Sequence, residues 1–442
     1  MKHIVIIGNG IAGITAAREI RKQSDFKITV ISKESKYFFS RTALMYVYMG
    51  HMPFENLQPY ENDFWAKNRI DLIHDEVISV DKENRIVNLK QSSELKYDEL
   101  IFATGSTTAY YNWPGQELKG VQGLYSKQDL ENLESLSPRI KSAAVVGGGL
   151  IGVELVEMLL SRGIEVHFVI RDKHFWGSVI PEENARFLEK WMRHHKGLKF
   201  YFSSELDRVE GKEFVEQVVL KDGTQISCQF VGIATGVKGN IELAKATNLK
   251  TNRGIVVNEF LETSHPSIYA IGDCAEVSNP QNKRKSIEQV WYTGRMMGET
   301  VAKTICGTKT TYDPGIWFNS AKFFDIEYQT YGIVSPIACD RCQQFHWEHP
   351  TKPIFLTFNF EKLSMEFEGI NTFGVRLRHE LFDQWIREKR TIQFVLENLA
   401  TANFDPEFYR TFENEIVQKF NETFNTSIQL NKKVWWQKLI NN

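Results

Sequence analysis

The sequence predicts an α/β protein: two parallel-sheet units, each built on a strand, a glycine turn and a helix, followed by an α+β domain of different build. Three observations predict it. Two glycine-rich turns of one design occur, Gly8-Asn9-Gly10-Ile11-Ala12-Gly13 and Gly147-Gly148-Gly149-Leu150-Ile151-Gly152. Each follows a short apolar strand (Ile4 to Ile7; Ala143 to Val146) and opens a helical pattern. Two strand-like segments share one ending, Ala103-Thr104-Gly105 and Ala234-Thr235-Gly236. After about residue 316 the pattern changes and aromatic residues crowd in, with Trp317, Phe318, Phe323, Phe324, Phe345 and Trp347.

Each turn has the chemistry of a dinucleotide site. The first glycine lets the chain turn sharply, the second brings backbone close to a pyrophosphate, and the third lets helix pack on strand. The pyrophosphate then rests on a helix N-terminus, where unpaired N–H groups and the helix dipole favour negative charge. One such turn is weak evidence; two in the right setting leave room for two separate dinucleotides.

Composition narrows the class. At 442 residues, two to three domains are expected. A hydrophobic content of 42%, a charged content of 24% and a net charge of −2 describe a soluble globular protein with no electrostatic case for nucleic acid. No apolar run approaches membrane-spanning length. The N-terminal apolar stretch runs straight into the first glycine turn, which argues against a signal peptide, so a cytoplasmic protein is expected. Five cysteines, Cys228, Cys274, Cys306, Cys339 and Cys342, are too few and too odd in number for a secreted disulfide framework and are expected as thiols.

Taken in order, residues 1–113 read as the first part of one nucleotide-binding domain. They hold strand, helix and strand, then a long excursion carrying Tyr37-Phe38-Phe39-Ser40-Arg41-Thr42-Ala43-Leu44, and end at the first Ala-Thr-Gly. Trp113-Pro114-Gly115 breaks the chain. Residues 114–237 repeat the plan as a second domain. Residues 238–315 return to strand character and reach Tyr269-Ala270-Ile271-Gly272-Asp273, which completes the first domain late. Residues 316–442 start with short strands (Ile354 to Phe360, Ser364 to Gly369) and continue as two long amphipathic helices. The second is expected to start at Asp405-Pro406 and to bury Phe408, Phe412, Ile416, Phe420 and Phe424 as core.

With these markers in this order, residues 1 to 305 resemble the FAD-dependent pyridine-nucleotide oxidoreductases with two Rossmann-like dinucleotide-binding domains. Phe39-Ser40-Arg41-Thr42-Ala43-Leu44 is most similar to the branch of rubredoxin reductase, the nitrite reductase NAD(P)H subunit and apoptosis-inducing factor. The resemblance implies that Gly8, Gly10, Ile11, Ala12 and Gly13 hold the FAD pyrophosphate, with Arg41 approaching the same phosphates. It places Val77 by the adenine, Ala103, Thr104 and Gly105 along the flavin nucleotide, and Gly272 and Asp273 at the ribityl chain. Gly147, Gly149, Leu150, Ile151 and Gly152, with Gly236, would hold NAD(P)H, with Glu154 beside the nicotinamide. Glu154 and Lys322 are the candidate catalytic side chains, Lys322 for stabilising a reduced flavin.

Departures from the family pattern carry information. An acidic residue for the adenosine ribose is expected at the end of each second strand. In the first unit that place is Ser32, followed by Lys33 and Glu34, and Glu34 is the candidate. In the second it is Ile170 or Arg171, with Lys173 and His174 beyond; this favours the 2′-phosphate of NADPH, or else is a solvated loop with no preference. No cysteine precedes Cys228, so a redox dithiol on the first helix after the flavin strand is absent and electrons are expected to leave for an external acceptor. Cys339-Asp340-Arg341-Cys342 with His346 and His349 is too compact for a zinc site, and reads as a hairpin with incidental thiols or as a redox dithiol.

The expected function is therefore hydride transfer from NAD(P)H to FAD and onward electron transfer to a small redox protein such as rubredoxin or ferredoxin. A quinone reductase at a membrane surface and a redox-sensing, partner-binding flavoprotein are the rival readings. The tail from Asn431, with Trp435 and Trp436 among lysines, suits either a membrane interface or packing on the last domain or across a homodimer interface.

Overall fold

A computed structural model describes residues 1–431 apart from 93, 282, 283, 338 and 405–409. The chain divides into two compact units: Met1–Arg171 with Gly197–Gly315, and Asp172–Lys196 with the chain from Ile316 onward.

The first unit holds two five-stranded parallel sheets of one design. In the first sheet His3–Ile7 is central, flanked by Lys27–Ser32 and then Ile70–His74 on one side, and by Glu99–Phe102 and then Ile268–Ala270 on the other. The late strand at 268–270 is what returns the chain to this sheet. In the second sheet Ser142–Val146 is central, beside Glu165–Val169 and Leu198–Tyr201 on one side and Phe230–Ile233 on the other, with Val121–Gln122 outermost. Both central strands are buried, as strands covered on two faces must be. Helices Ile11–Gln23 and Leu150–Ser161 follow them directly.

The second unit is built on an antiparallel sheet in the order Phe318–Phe323, Ile326–Gly332, Phe367–Phe373, Phe355–Glu361, Cys342–Glu348. One face packs Phe345, Phe358, Phe360 and Phe367 against Phe382, Trp385 and Phe420 of the helices that follow. Helix Glu182–Met192 covers the other face, its Phe187 ring 5.2 Å from Phe355 and 5.7 Å from Phe373. Strand Phe355–Glu361 is therefore buried at six successive positions, Thr357 and Asn359 included, with no alternation between buried and exposed residues. Glu182 and Glu183 in the first turn suit the helix dipole there. This helix lies within the 114–237 span, yet its segment Asp172–Lys196 packs with the C-terminal unit.

Sequence patterning identifies two of these five strands. The turn between the first two centres on Phe324 at φ +53°, a bulky residue where glycine or asparagine would have signalled a turn. Among the described residues the expected two long helices are represented by three shorter ones, His379–Arg387, Ile392–Glu397 and Glu413–Phe424. Ile416 and Phe420 are buried, with Phe412 and Phe424 packed beside them. The expected start at Asp405-Pro406, Phe408, and the tail after Asn431 lie outside the described residues.

Candidate functional site

The first glycine turn is closed by sterics that are visible atom by atom. Gly8 has φ +115°, and a Cβ there would lie 2.0 Å from the Ala103 carbonyl oxygen. A Cβ on Gly13 would lie 2.1 Å from the Gly8 oxygen, so strand and helix meet in backbone contact. At Gly10, which precedes the helix, a Cβ would meet nothing within 4 Å. The turn is thus tight below and open above, where a pyrophosphate would approach the helix N-terminus. Asn9 anchors its rim, donating from Nδ2 to the Ser35 carbonyl at 2.8 Å. In the second turn Gly147 has φ +117° with a Cβ position 2.3 Å from the Ala234 oxygen, the Gly152 Cβ position is 2.0 Å from the Gly147 oxygen, and Gly149 is open.

A cavity of about 1460 Å³ opens above the first turn. Single small-molecule pockets span ~300–1,000 Å³, so it has room for a dinucleotide and part of a second ligand. Of the sequence candidates it is lined by Gly8, Gly10, Ile11, Ala12, Ser32, Lys33, Glu34, Arg41, Val77, Ala103, Thr104, Gly105, Gly272 and Asp273. Leu150, Ile151 and Glu154, from the helix after the second turn, join the same wall. Gly13, Gly147, Gly149, Gly152, Arg171 and Gly236 are not among its lining residues, and neither is Lys322, which sits on Phe318–Phe323 of the second unit, cross-strand from Glu327.

Inside the cavity, Arg41 and Glu34 face each other in a bidentate ion pair of 2.8 and 2.6 Å. The guanidinium also donates to the Tyr125 carbonyl and lies against the rings of Tyr125 (4.5 Å) and Phe39 (5.2 Å). Burial alone would lower the Arg41 pKa, but the bonds and charge of Glu34 more than offset it and raise it above the ordinary value. Glu34 also accepts from the Lys127 N–H at 2.9 Å. Both candidates thus line the cavity already paired.

Asp273 is the focus of a directional network. Its Oδ2 accepts from Ser106 Oγ at 3.2 Å and Tyr125 Oη at 3.5 Å; Gln289 Nε2 donates to Ser106 Oγ at 2.9 Å, and the Ser106 N–H donates to Tyr125 Oη at 2.9 Å. Burial raises the Asp273 pKa, opposed by Ser106, Arg41 and Tyr125. Both hydroxyl donors to Asp273 meet at Oδ2, which leaves Oδ1 for a ligand hydroxyl. Tyr125, Ser106, Gln289 and Trp291 line the cavity without having been identified from sequence, because each comes from a different element and no motif joins them. Tight glycines, an open helix N-terminus and a carboxylate fit the pyrophosphate and polyol of FAD.

Glu154, half-buried on the cavity wall, has its pKa raised to about 7 by burial and then by Glu157 one turn on. At the second strand end, Ile170 is buried; a Cβ on Gly148 would lie 2.9 Å from its Cγ2, so an apolar side chain covers this turn where a carboxylate would select a free ribose. The neighbouring basic side chains are not bare: His174 lies 3.3 Å from Glu182 and 3.2 Å from Glu189, and Lys173 lies 3.6 Å from Glu182.

Cys274 is fully buried, its thiol facing the Phe102 and Ile271 carbonyls, a filler rather than a nucleophile. Among the described residues no helix is long and apolar enough to cross a membrane, and no cluster of candidate metal ligands occurs.

The family model for pyridine nucleotide-disulphide oxidoreductases matches residues 2–298. The chain is 33% identical to the assimilatory nitrate reductase electron transfer subunit of Bacillus subtilis over 62% of its own length, but spans only 36% of that protein. It is 30% identical to the rubredoxin-NAD(+) reductase of Ectopseudomonas oleovorans, over 70% of this chain and 80% of that one. Among solved structures it is similar to an NAD-dependent persulfide reductase from A. fulgidus, with a TM-score of 0.84 and 26% identity over 96% of this chain and 83% of the other. The match across both glycine turns and the late Gly272-Asp273 strand end makes this chain a member of the pyridine nucleotide-disulphide oxidoreductase family.

Proposed function

We propose that the protein is an FAD-dependent NAD(P)H oxidoreductase that passes electrons to an external acceptor, a small redox protein such as rubredoxin or ferredoxin. One observation carries the reading: a single cavity is walled on one side by the first glycine turn and Asp273, and on another by Leu150, Ile151 and Glu154 from the helix of the second turn. Two dinucleotides seated on the two turns would meet there. When bound, FAD supplies the chemistry, taking hydride from a reduced nicotinamide and yielding electrons to the acceptor.

The chain's own residues orient and enclose. The open N–H groups at Gly10 face the pyrophosphate, Asp273 Oδ1 holds a ribityl hydroxyl, and Glu154 positions the carboxamide of the nicotinamide. Direct transfer to an outside acceptor follows from the absence of cysteine before Cys228. NADPH is favoured because Ile170 and Arg171 stand where a ribose-selecting carboxylate would repel the 2′-phosphate. The relative named as a rubredoxin reductase supports the choice of acceptor.

Purified protein should be yellow, release FAD rather than FMN on denaturation, and bleach anaerobically with NAD(P)H. Rubredoxin or ferredoxin added afterwards should restore the colour. A colourless protein that FAD does not reconstitute would end this reading.

A further inference from the structure

The antiparallel sheet of the second unit has two unlike faces. Phe345, Trp347, Phe358 and Phe360 enter the apolar core on one. The intervening positions, Cys342, Gln344 and His346 on the edge strand and Thr357 and Asn359 on its neighbour, form a polar row on the other. Asn184 of helix Glu182–Met192 closes part of that row, donating to Thr357 Oγ1 at 2.6 Å and accepting from Asn371 Nδ2 at 3.1 Å. The rest leads outward. Gln344 Nε2 donates to Asn359 Oδ1 at 3.1 Å, Asn359 Nδ2 donates to Glu368 Oε2 at 3.0 Å, and the Glu368 carboxylate is near enough for its charge to act on the Cys342 thiol. Asn359 has no exposed surface, so the orientation of Glu368 is set from within the sheet.

Cys339 closes on the same end. The Cys342 N–H donates to the Cys339 carbonyl at 3.1 Å, and this tight turn sets the two cysteines side by side, each thiol acting on the other's titration. Both are free and half-buried. Their surroundings are unequal. The hydrogen bond from Cys342, the nearby N–H groups and the Arg341 charge draw the Cys339 thiol below its ordinary pKa. Burial, the bond to Cys339 and the Glu368 charge push Cys342 up to about 12. One sulfur is poised to attack while the other keeps its proton beside a carboxylate.

We propose that Cys339 and Cys342 form a thiol–disulfide exchange site for low-molecular-weight disulfides, with Cys339 attacking, Cys342 resolving and Glu368 accepting the proton. The Cys339 thiolate attacks one sulfur of a disulfide RSSR, forming a Cys339–SR mixed disulfide and releasing RS⁻, which is protonated from water. Cys342 then gives its proton to Glu368 as its sulfur attacks Cys339 Sγ. The mixed disulfide breaks, the second RS⁻ leaves, and the Cys339–Cys342 bond forms. Two electrons pass from the protein dithiol to RSSR, yielding two RSH once protons follow, and excess RSH reverses the sequence. None of this depends on the cavity of the first unit or on its proposed cofactors.

The test uses full-length holoprotein, oxidised glutathione as the probe, alkylation with N-ethylmaleimide after denaturation, and intact mass. The wild type should lose two alkylatable thiols, carry no glutathione, and regain both thiols in excess reduced glutathione. Cys342→Ser should stall with one glutathione on Cys339, whereas Cys339→Ser should take up roughly ten-fold less. Glu368→Gln, which keeps a partner for Asn359, should accumulate the mixed disulfide because attack proceeds and resolution slows. A wild type that keeps all its thiols, or single variants that take up glutathione equally, would overturn the proposal. Closure in Glu368→Gln at the wild-type rate would remove Glu368 from it.

Discussion

Turns 8–13 and 147–152 impose the same constraints on the backbone. At Gly8 and Gly147 φ is +115° and +117°, a Cβ would strike the carbonyl oxygen of Ala103 or Ala234, and Gly10 and Gly149 alike face open space. Around them little is shared. Asn9 ties the first turn to Ser35, and beyond the second strand Glu34 is clamped by Arg41. In the second, Gly148 lies under Ile170, and the next residue is Arg171. The comparison teaches that the glycine spacing fixes one backbone shape, while the residues at the end of the next strand decide what side-chain chemistry surrounds it.

The largest expected effect breaks the cradles one at a time. Gly10→Val places a Cβ where nothing of the protein lies within 4 Å, so the fold should survive while FAD retention falls by ~100-fold or more, giving colourless, folded protein. Gly149→Val should remain yellow and lose bleaching by NAD(P)H. Absorbance spectra and thermal melts of the two variants check both. Parallel behaviour in the two would show that the turns do not serve separate ligands.

The strand ends come next. Wild type should bleach faster with NADPH than with NADH by roughly ten-fold, and Arg171→Glu should reverse the ratio, because a carboxylate repels the 2′-phosphate and accepts from a free ribose hydroxyl. Stopped-flow measurements with each nucleotide decide it; equal or better wild-type rates with NADH sink the preference.

Glu154 sharpens the comparison through pH. Its folded pKa of about 7 exceeds the ordinary 4.5, so between these values the folded protein keeps a proton that the unfolded chain has released. Stability is full below that window and declines as pH rises through it. Glu154→Gln should flatten this dependence and raise the flavin-free protein's Tm at pH 8 by about 2 °C relative to wild type. Identical pH–Tm curves for the two proteins would show that the burial is relieved in solution.

The smallest effect is expected in the second unit. Replacing Cys339 and Cys342 together by serine should leave NAD(P)H-driven dye reduction within about three-fold of wild type, since the exchange site lies outside the cavity residues. A larger loss would place the dithiol on the electron path.

What the sequence by itself determined is local and steric. A Cβ-to-carbonyl clash can be met only by glycine, so Gly8, Gly13, Gly147 and Gly152 were legible from their spacing, and the two Ala-Thr-Gly strand ends and Gly272-Asp273 followed from short patterns. Tertiary structure alone decided what requires elements distant in the chain to meet. Arg41 folds back on Glu34 only because the excursion after the second strand turns under Tyr125. Tyr125, Ser106 and Gln289 converge on Asp273 from three other elements, with no periodicity to announce them. Helix Glu182–Met192 packs with the second unit because that sheet's second face carries Phe355, Thr357 and Phe373, which need burial and a partner for the Thr357 hydroxyl.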